Sequence, residues 1–269
     1  MRTLGFIGTG NMGAALVKGI VNSGIIDAGN IHVYDIDTAK TGALQKEYGV
    51  VKVSGNEEVV ERSDIIILAV KPGMEKTVLE PCKEKFGESK ILVSILAGVP
   101  VKRFEEILGN CAKIVRVLPN TPALVGEGMT LLSFNYNVRE EEREEIIKLF
   151  ECVGKAELLD ESLMSEVIAL SSSSPAYIFM IIEAMADAAV KHGIRRDMAY
   201  RIAAQSVLGA AKMVLETGRH PAELKDQVCS PAGTTIEAVS VLENKGLRSA
   251  IIEAMDACTK RARELGNKK

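Results

Sequence analysis

Gly8, Gly10 and Gly13 stand in G-x-G-x-x-G spacing between two apolar stretches, and few folds accommodate that arrangement. Leu4 to Ile7 reads as a short buried strand, and Ala14 to Val21 as an apolar helix. Each glycine then has a separate job. Gly8 permits the tight strand-to-helix turn, Gly10 lets a pyrophosphate approach the backbone, and Gly13 lets helix and strand pack closely. The helix that follows offers unpaired N–H groups and a positive dipole end to phosphates. Glycine triplets alone are weak evidence, but the strand before and the helix after supply the context of a dinucleotide-binding turn.

The segments that follow keep the same rhythm. Ile31 to Asp35 is the next strand, and Asp35 ends it about twenty residues after the glycines. A carboxylate there can bind the adenosine ribose 2′-OH, which favours NADH over NADPH. Asp35 can equally cap the helix Ala39 to Tyr48, and the two roles are compatible. Val50 to Val53 is a short strand candidate, and Asn56 opens a short capped helix. Asp64 to Val70 is a continuous apolar run, as expected of a central parallel strand covered on both faces. It ends in Lys71-Pro72-Gly73, where Lys71 either points at a ligand or is a solvated turn lysine. Ile91 to Leu96, ending in Ala97-Gly98, and Lys113 to Leu118, ending in Pro119-Asn120-Thr121-Pro122, are further strands. Gly98 allows close backbone approach at the nicotinamide end. Asn120 either bonds a ligand or serves its turn. Later strands at Met129 to Asn135 and Ala156 to Leu159 flank an acidic helix over Arg139 to Cys152. Strands alternating with helices predict an α/β fold, a doubly wound and mostly parallel Rossmann sheet.

After about residue 160 the strand pattern stops, which divides the chain into a dinucleotide-binding domain over 1–160 and an all-helical domain over 161–269. Pro175 to Val190 is apolar almost all round, interrupted mainly by Glu183 and Asp187. A helix apolar on every side must be buried on every side. The small second domain has little room for that, so this helix is expected at a subunit interface. Asp197 to Glu216 and Ile236 to Leu265 give further helices, the latter interrupted near Gly246. Between them, Lys225 to Ile236 reads as small, polar and turn-forming. Free N–H groups at the helix start there can grip a carboxylate, or Thr234 or Thr235 can simply cap the helix.

Composition excludes several classes. A net charge of −3 with no basic block makes nucleic acid an unexpected partner. The five cysteines are scattered without a C-x-x-C pair, so neither a disulfide framework nor a metal site is indicated. His32, His192 and His220 join no Ser/His/Asp pattern, so hydrolase chemistry is unsupported. The chain enters a strand at once, and no apolar run free of ionisable residues is long enough to cross a bilayer. A cytoplasmic protein with no membrane partner is the expectation.

Taken together, Phe6 to Gly13, Ala69-Val70-Lys71-Pro72, Leu118 to Pro122, Ser174-Pro175-Ala176-Tyr177 and the run Leu224 through Thr235 resemble the pyrroline-5-carboxylate reductase family over essentially the whole chain. The last run is the most specific. The resemblance implies a Rossmann domain followed by a helical domain that interlocks with a second copy into a homodimer, with dimers able to assemble further, up to a decamer. It implies NADPH or NADH as cofactor, 1-pyrroline-5-carboxylate as substrate, and reduction of its C=N bond to give L-proline. Three positions depart from the family: it usually has glycine where Ser172 and Ala232 stand, and NADPH-preferring members commonly carry a small hydroxyl residue where Asp35 stands. A positive φ at Ala232 would strain its loop.

The expected cofactor contacts are Gly8, Thr9, Gly10, Asn11, Met12, Gly13, Asp35, Asn56, Ala69, Val70, Lys71, Pro72, Ala97 and Gly98. The expected substrate contacts are Asn120, Ser230, Ala232, Gly233, Thr234 and Thr235, with the substrate carboxylate on the backbone N–H groups of Ala232 to Thr234. Thr235, which by resemblance contacts substrate, and Lys71 are the catalytic candidates. Two rivals stand beside this reading. One is another NAD(P)-dependent imine or β-hydroxyacid reductase, which would lack the Ser230 to Thr235 loop. The other is a non-catalytic NAD(P)-binding dimer, which would not need that loop.

Overall fold

The computed structural model describes residues 2–266. Strand and helix alternate through the first half. β1 (Leu4–Ile7) turns into α1 (Asn11–Ser23), β2 (Ile31–Tyr34) leads to α2 (Thr38–Tyr48), β3 (Val51–Lys52) to α3 (Asn56–Arg62), and β4 (Ile65–Leu68) to α4 (Glu75–Leu79). Next come β5 (Ile91–Ser94), α5 (Val101–Leu108), β6 (Lys113–Leu118), β7 (Gly128–Phe134), α6 (Glu140–Glu151) and β8 (Gly154–Leu158). Helices α4 and α5 are additional to those expected from sequence.

The eight strands form one sheet in the order β3-β2-β1-β4-β5-β6-β7-β8. Pairing is parallel from β3 through β6, β7 runs antiparallel to β6, and β8 is parallel to β7. Every residue of β1, β4 and β5 is buried. Their β-branched and aromatic side chains suit a sheet covered on both faces. Along β4 the pleat alternates: Ile65 and Ile67 join one core with Leu16, Val17 and Phe150, while Ile66 and Leu68 join the other with Val59, Leu79 and Phe104. The chain winds from β1 outward to β3 and then returns to β4 on the other side of β1. Strand order therefore reverses between β1 and β4, which makes the carboxyl ends of these two strands the topological switch point.

The second half is helical: α7 (Ser174–Lys191), α8 (Arg196–Thr217), α9 (Pro221–Val228), α10 (Thr234–Asn244) and α11 (Leu247–Gly266). Compactness divides the chain into two units. One holds the residues up to Ser172 together with those from Thr259 on, and the other is Ser173–Cys258. Residues 267–269 of the helical half lie outside the described residues. One expectation needs correction. Lys225 to Val228 is not turn-forming but completes α9, whose first turn is set by Pro221 and capped by His220, with Nδ1 accepting from the Ala222 amide at 3.2 Å. The irregular segment is thus shorter, from Cys229 to Gly233.

The helical unit has almost no core of its own. Among its described residues the buried apolar side chains are Ala186, Ala199 and Ala203, whereas Phe179 is 63% exposed, Met180 69% and Leu215 79%. Val167–Lys191 is apolar enough, by length and composition, to cross a membrane, yet only 11% of its 18-residue apolar window is buried in the single chain. Within its own unit α7 packs along α8, where Ala186 is fully buried, but Phe179, Met180 and Met185 on α7 stay exposed in the single chain.

Candidate active site

At Gly8 and Gly13 the glycine turn is as tight as expected. Gly8 has φ +95°, and a Cβ there would lie 2.6 Å from the Ala69 carbonyl oxygen. A Cβ on Gly13 would lie 2.5 Å from the carbonyl oxygen of Gly8, so α1 packs against the turn as only glycine allows. Around Gly10, by contrast, a Cβ would meet nothing within 4 Å. Gly10 is also the N-cap of α1 and no side chain caps that helix, leaving its first amides to an outside acceptor. The open approach and the uncapped helix fit a diphosphate.

Asp35 follows β2 and reaches back to this turn. Its Oδ2 accepts from the Thr9 amide at 2.7 Å and from the Thr9 hydroxyl at 3.2 Å, and Oδ1 accepts from the Asp37 amide at 2.9 Å. Burial disfavours the carboxylate, but the hydrogen bonds from Thr9 and Asp37 outweigh it and hold the carboxyl below its ordinary value. Asp35 therefore braces the glycine turn as an anion. The cap of α2 falls to Asp37 instead, whose side chain accepts from the Ala39 amide.

A cleft of about 260 Å³ opens over the carboxyl ends of the central strands. Met12 from α1, Ala69 and Val70 after β4, Ile95 and Ala97 after β5, and Leu118 and Pro119 at the end of β6 line it, with Ile168 and Ser172 closing the wall. Of the expected residues, Met12, Ala69, Val70 and Ala97 meet here. Gly98 (φ +78°) turns the chain beside the cleft without lining it. Ile95, Leu118, Pro119, Ile168 and Ser172 were not expected as lining residues. The strand-end positions were open to prediction from the switch-point rule, whereas Ile168 belongs to a short 3-10 turn with no motif of its own. Lys71, Pro72 and Gly73 are exposed in the turn after β4.

Asn56 lies elsewhere. It lines a second hollow of about 620 Å³ with Glu57, Glu58, Glu61 and Arg62. Three carboxylates make that larger hollow a poor host for an anionic diphosphate. Asn120 is buried and committed at both ends: Nδ2 donates to the Ser171 carbonyl at 3.2 Å, and Oδ1 accepts from the Met129 amide at 2.9 Å. Its carboxamide ties β7 to the segment after β8, a structural task in addition to the substrate contact expected of it.

In the helical unit, Ser230 to Thr235 leads into α10. Ala232 has φ +56°, the one positive φ outside glycine among the described residues. Gly233 is the N-cap, and a Cβ there would lie 2.3 Å from Ser230 Oγ. The Gly233 amide already donates to the Ser230 carbonyl at 3.0 Å, so it is not free for a carboxylate as expected. No side chain caps α10. The acceptor-seeking amides are those of the first turn, Thr234, Thr235 and Ile236. Neither threonine side chain caps the helix. Ala232→Gly should stabilise the protein by about 0.5–1 kcal/mol, since a left-handed L-residue costs about 1–2 kcal/mol and glycine returns part of that as backbone entropy. Chemical denaturation checks this; an unchanged or lower midpoint would show that the loop carries no strain.

The chain is similar over its length to known proteins. The family described as pyrroline-5-carboxylate reductase dimerisation matches residues 161–265, and that described as NADP oxidoreductase, coenzyme F420-dependent, matches residues 3–98. The pyrroline-5-carboxylate reductase of Escherichia coli is 48% identical over 264 residues, 98% of each chain. The solved pyrroline-5-carboxylate reductase of Coxiella burnetii superposes with a TM-score of 0.92 at 35% identity, covering 98% of both chains. That of Plasmodium falciparum, with NADP bound, does so with a TM-score of 0.89 at 33% identity over 99% of this chain and 98% of that one. A Rossmann half with its uncapped glycine turn, a helical half with its uncapped loop, and identity spanning both lead to one conclusion: the chain belongs to the pyrroline-5-carboxylate reductase family.

Proposed function

We propose that this enzyme reduces 1-pyrroline-5-carboxylate to L-proline, the final step of proline biosynthesis, and that it prefers NADH to NADPH. The observation that carries the reading is that both halves required for the reaction are present in a chain 48% identical throughout to a named pyrroline-5-carboxylate reductase: an uncapped glycine turn beside an apolar cleft, and an uncapped helix start behind a polar loop. Gly8, Gly10 and Gly13 with the first amides of α1 hold the diphosphate, Asp35 takes the adenosine ribose, and the cleft walls take the nicotinamide ring. The bound cofactor supplies the hydride that reduces the C=N carbon.

The chain's own residues bind and orient. The first-turn amides of α10, Thr234 to Ile236, hold the substrate carboxylate with the positive end of the helix dipole behind them. Ser230, Ala232 and Gly233 shape the loop in front of that helix. The Thr235 hydroxyl hydrogen-bonds the ring nitrogen, which must carry a proton to be a good hydride acceptor. Lys71, exposed after β4, supplies positive charge to the cofactor phosphates or the substrate carboxylate. The setting we propose is a cytoplasmic homodimer built through the helical unit.

Absorbance of the reduced nicotinamide tests the reaction, with pyrroline-5-carboxylate and either NADH or NADPH, and proline as the product to be identified. Turnover is expected. Its absence with bound cofactor would sink the reductase reading. Thr235→Ala should lower kcat/KM by about one to two decades, because a hydrogen bond to a charged group is worth about 1.5–3 kcal/mol. Asp35→Ser should raise the NADPH-to-NADH ratio of kcat/KM by about a hundredfold. The variant loses a charged acceptor for the 2′-OH and removes an anion that repels a 2′-phosphate. An unchanged ratio would leave Asp35 as a brace for Thr9 alone.

A further inference from the structure

A hydroxyl buried without a hydrogen-bond partner destabilises a fold, so each instance needs an explanation. Among the described residues the side chains of Arg2, Thr130, Ser171 and Ser172 hold such atoms. Ser172 differs from the other three in lining the cleft over β4, β5 and β6, where every other lining side chain is apolar. We propose that Ser172 Oγ hydrogen-bonds the carboxamide of the nicotinamide ring and so fixes how the ring lies in the cleft.

The placement follows from the sheet. Asp35 stands after β2, on one side of β1, and the cleft stands over β4 to β6 on the other. A dinucleotide crossing the switch point with its adenosine ribose at Asp35 leaves its nicotinamide half to the cleft. The ring's flat faces match Met12, Val70, Ile95 and Leu118. The carboxamide is the polar group the ring brings into that wall. A hydroxyl donates and accepts, so Ser172 can serve either the carbonyl or the amine of the carboxamide. A water molecule would be a poor substitute, since it requires two to four polar partners and the cleft offers the hydroxyl as its single polar side chain. Ser172 is thereby a cofactor-contacting residue in a wall that otherwise provides shape alone.

The inference rests on the dinucleotide reading above, and one set of titrations separates the two. Dissociation constants of NADH and of ADP-ribose, which has every part of the cofactor except the ring, are measured for the full-length protein and for Ser172→Ala and Ser172→Gly. The unmodified protein should bind NADH more tightly than ADP-ribose; equal affinities would place the ring outside the cleft and overturn the reading beneath the proposal. Both variants should bind NADH about 3- to 10-fold more weakly with ADP-ribose affinity unchanged. The melting temperature of ligand-free Ser172→Ala should be equal to or above that of the unmodified protein, because the substitution removes an orphaned polar atom. Unchanged NADH affinity, or equal losses for both ligands, would overturn the proposal. So would a rise in KM for pyrroline-5-carboxylate with NADH binding intact, which would assign the hydroxyl to the substrate.

Discussion

Gly10→Ala should leave the ligand-free protein folded and weaken NADH binding at least about a hundredfold. Gly10 has φ −64° and ψ −172°, an extended conformation any residue adopts, and a Cβ there meets nothing within 4 Å. The cost to the fold is that of a poorer N-cap, within about 1 kcal/mol. The added methyl occupies the space through which a diphosphate reaches the first amides of α1. Displacing the phosphates from two such bonds forfeits about 1.5–3 kcal/mol each, which together exceeds a hundredfold in affinity. ADP-ribose should suffer the same loss, unlike the ring-specific loss expected at Ser172. Gly8→Ala is the contrasting variant. There the Cβ would sit 2.6 Å and 2.8 Å from the carbonyl oxygen and carbon of Ala69, at φ +95°, so the fold itself should fail. Fluorescence titration with NADH, alongside a thermal melt of each variant, reads both effects. NADH binding within threefold of normal in Gly10→Ala would move the diphosphate away from this turn.

The contrast among three glycines also shows what a sequence can carry. Strand-turn-helix context and spacing pointed to the tight positions Gly8 and Gly13, because a backbone in close quarters leaves one residue type that fits. The continuous apolar run at Ile65 to Leu68 identified a central strand for a similar reason, since both faces are covered. Other features depend on side-chain commitments that spacing does not encode. Asn120 sits at a strand end, as a ligand-binding residue would, and its carboxamide also bonds Ser171 and Met129, a task its position in sequence does not announce. The Gly233 amide lies at a helix start, yet it closes its own turn on Ser230. Helix α9 was missed because its cap is His220, outside the Ser/Thr/Asp/Asn set that marks most helix starts. The strain at Ala232 was legible only as a condition, since a positive φ is a property of the folded loop and not of alanine.

Phe179→Glu should dissociate the homodimer we propose and abolish activity at micromolar protein. Phe179 and Met180 lie side by side on α7 and are 63% and 69% exposed in the single chain, in a unit whose buried apolar residues, among those described, are three alanines. The region belongs to the family described as pyrroline-5-carboxylate reductase dimerisation. Burying a phenylalanine side chain gains about 1.5–3 kcal/mol, and a carboxylate in its place must be desolvated without a partner at a cost of several more. In a two-fold dimer each substitution occurs twice. The combined penalty, upwards of about 6 kcal/mol, raises the dimer dissociation constant by about ten-thousandfold or more. Sedimentation velocity across a concentration series measures it. Tyr136→Glu serves as the control: Tyr136 is 78% exposed, and it lies on the Rossmann unit outside the region matched to the dimerisation family, so its assembly should be unchanged. An intact dimer in Phe179→Glu would mean that α7 faces solvent in solution, and the exposed apolar surface of the helical unit would then need a different cover.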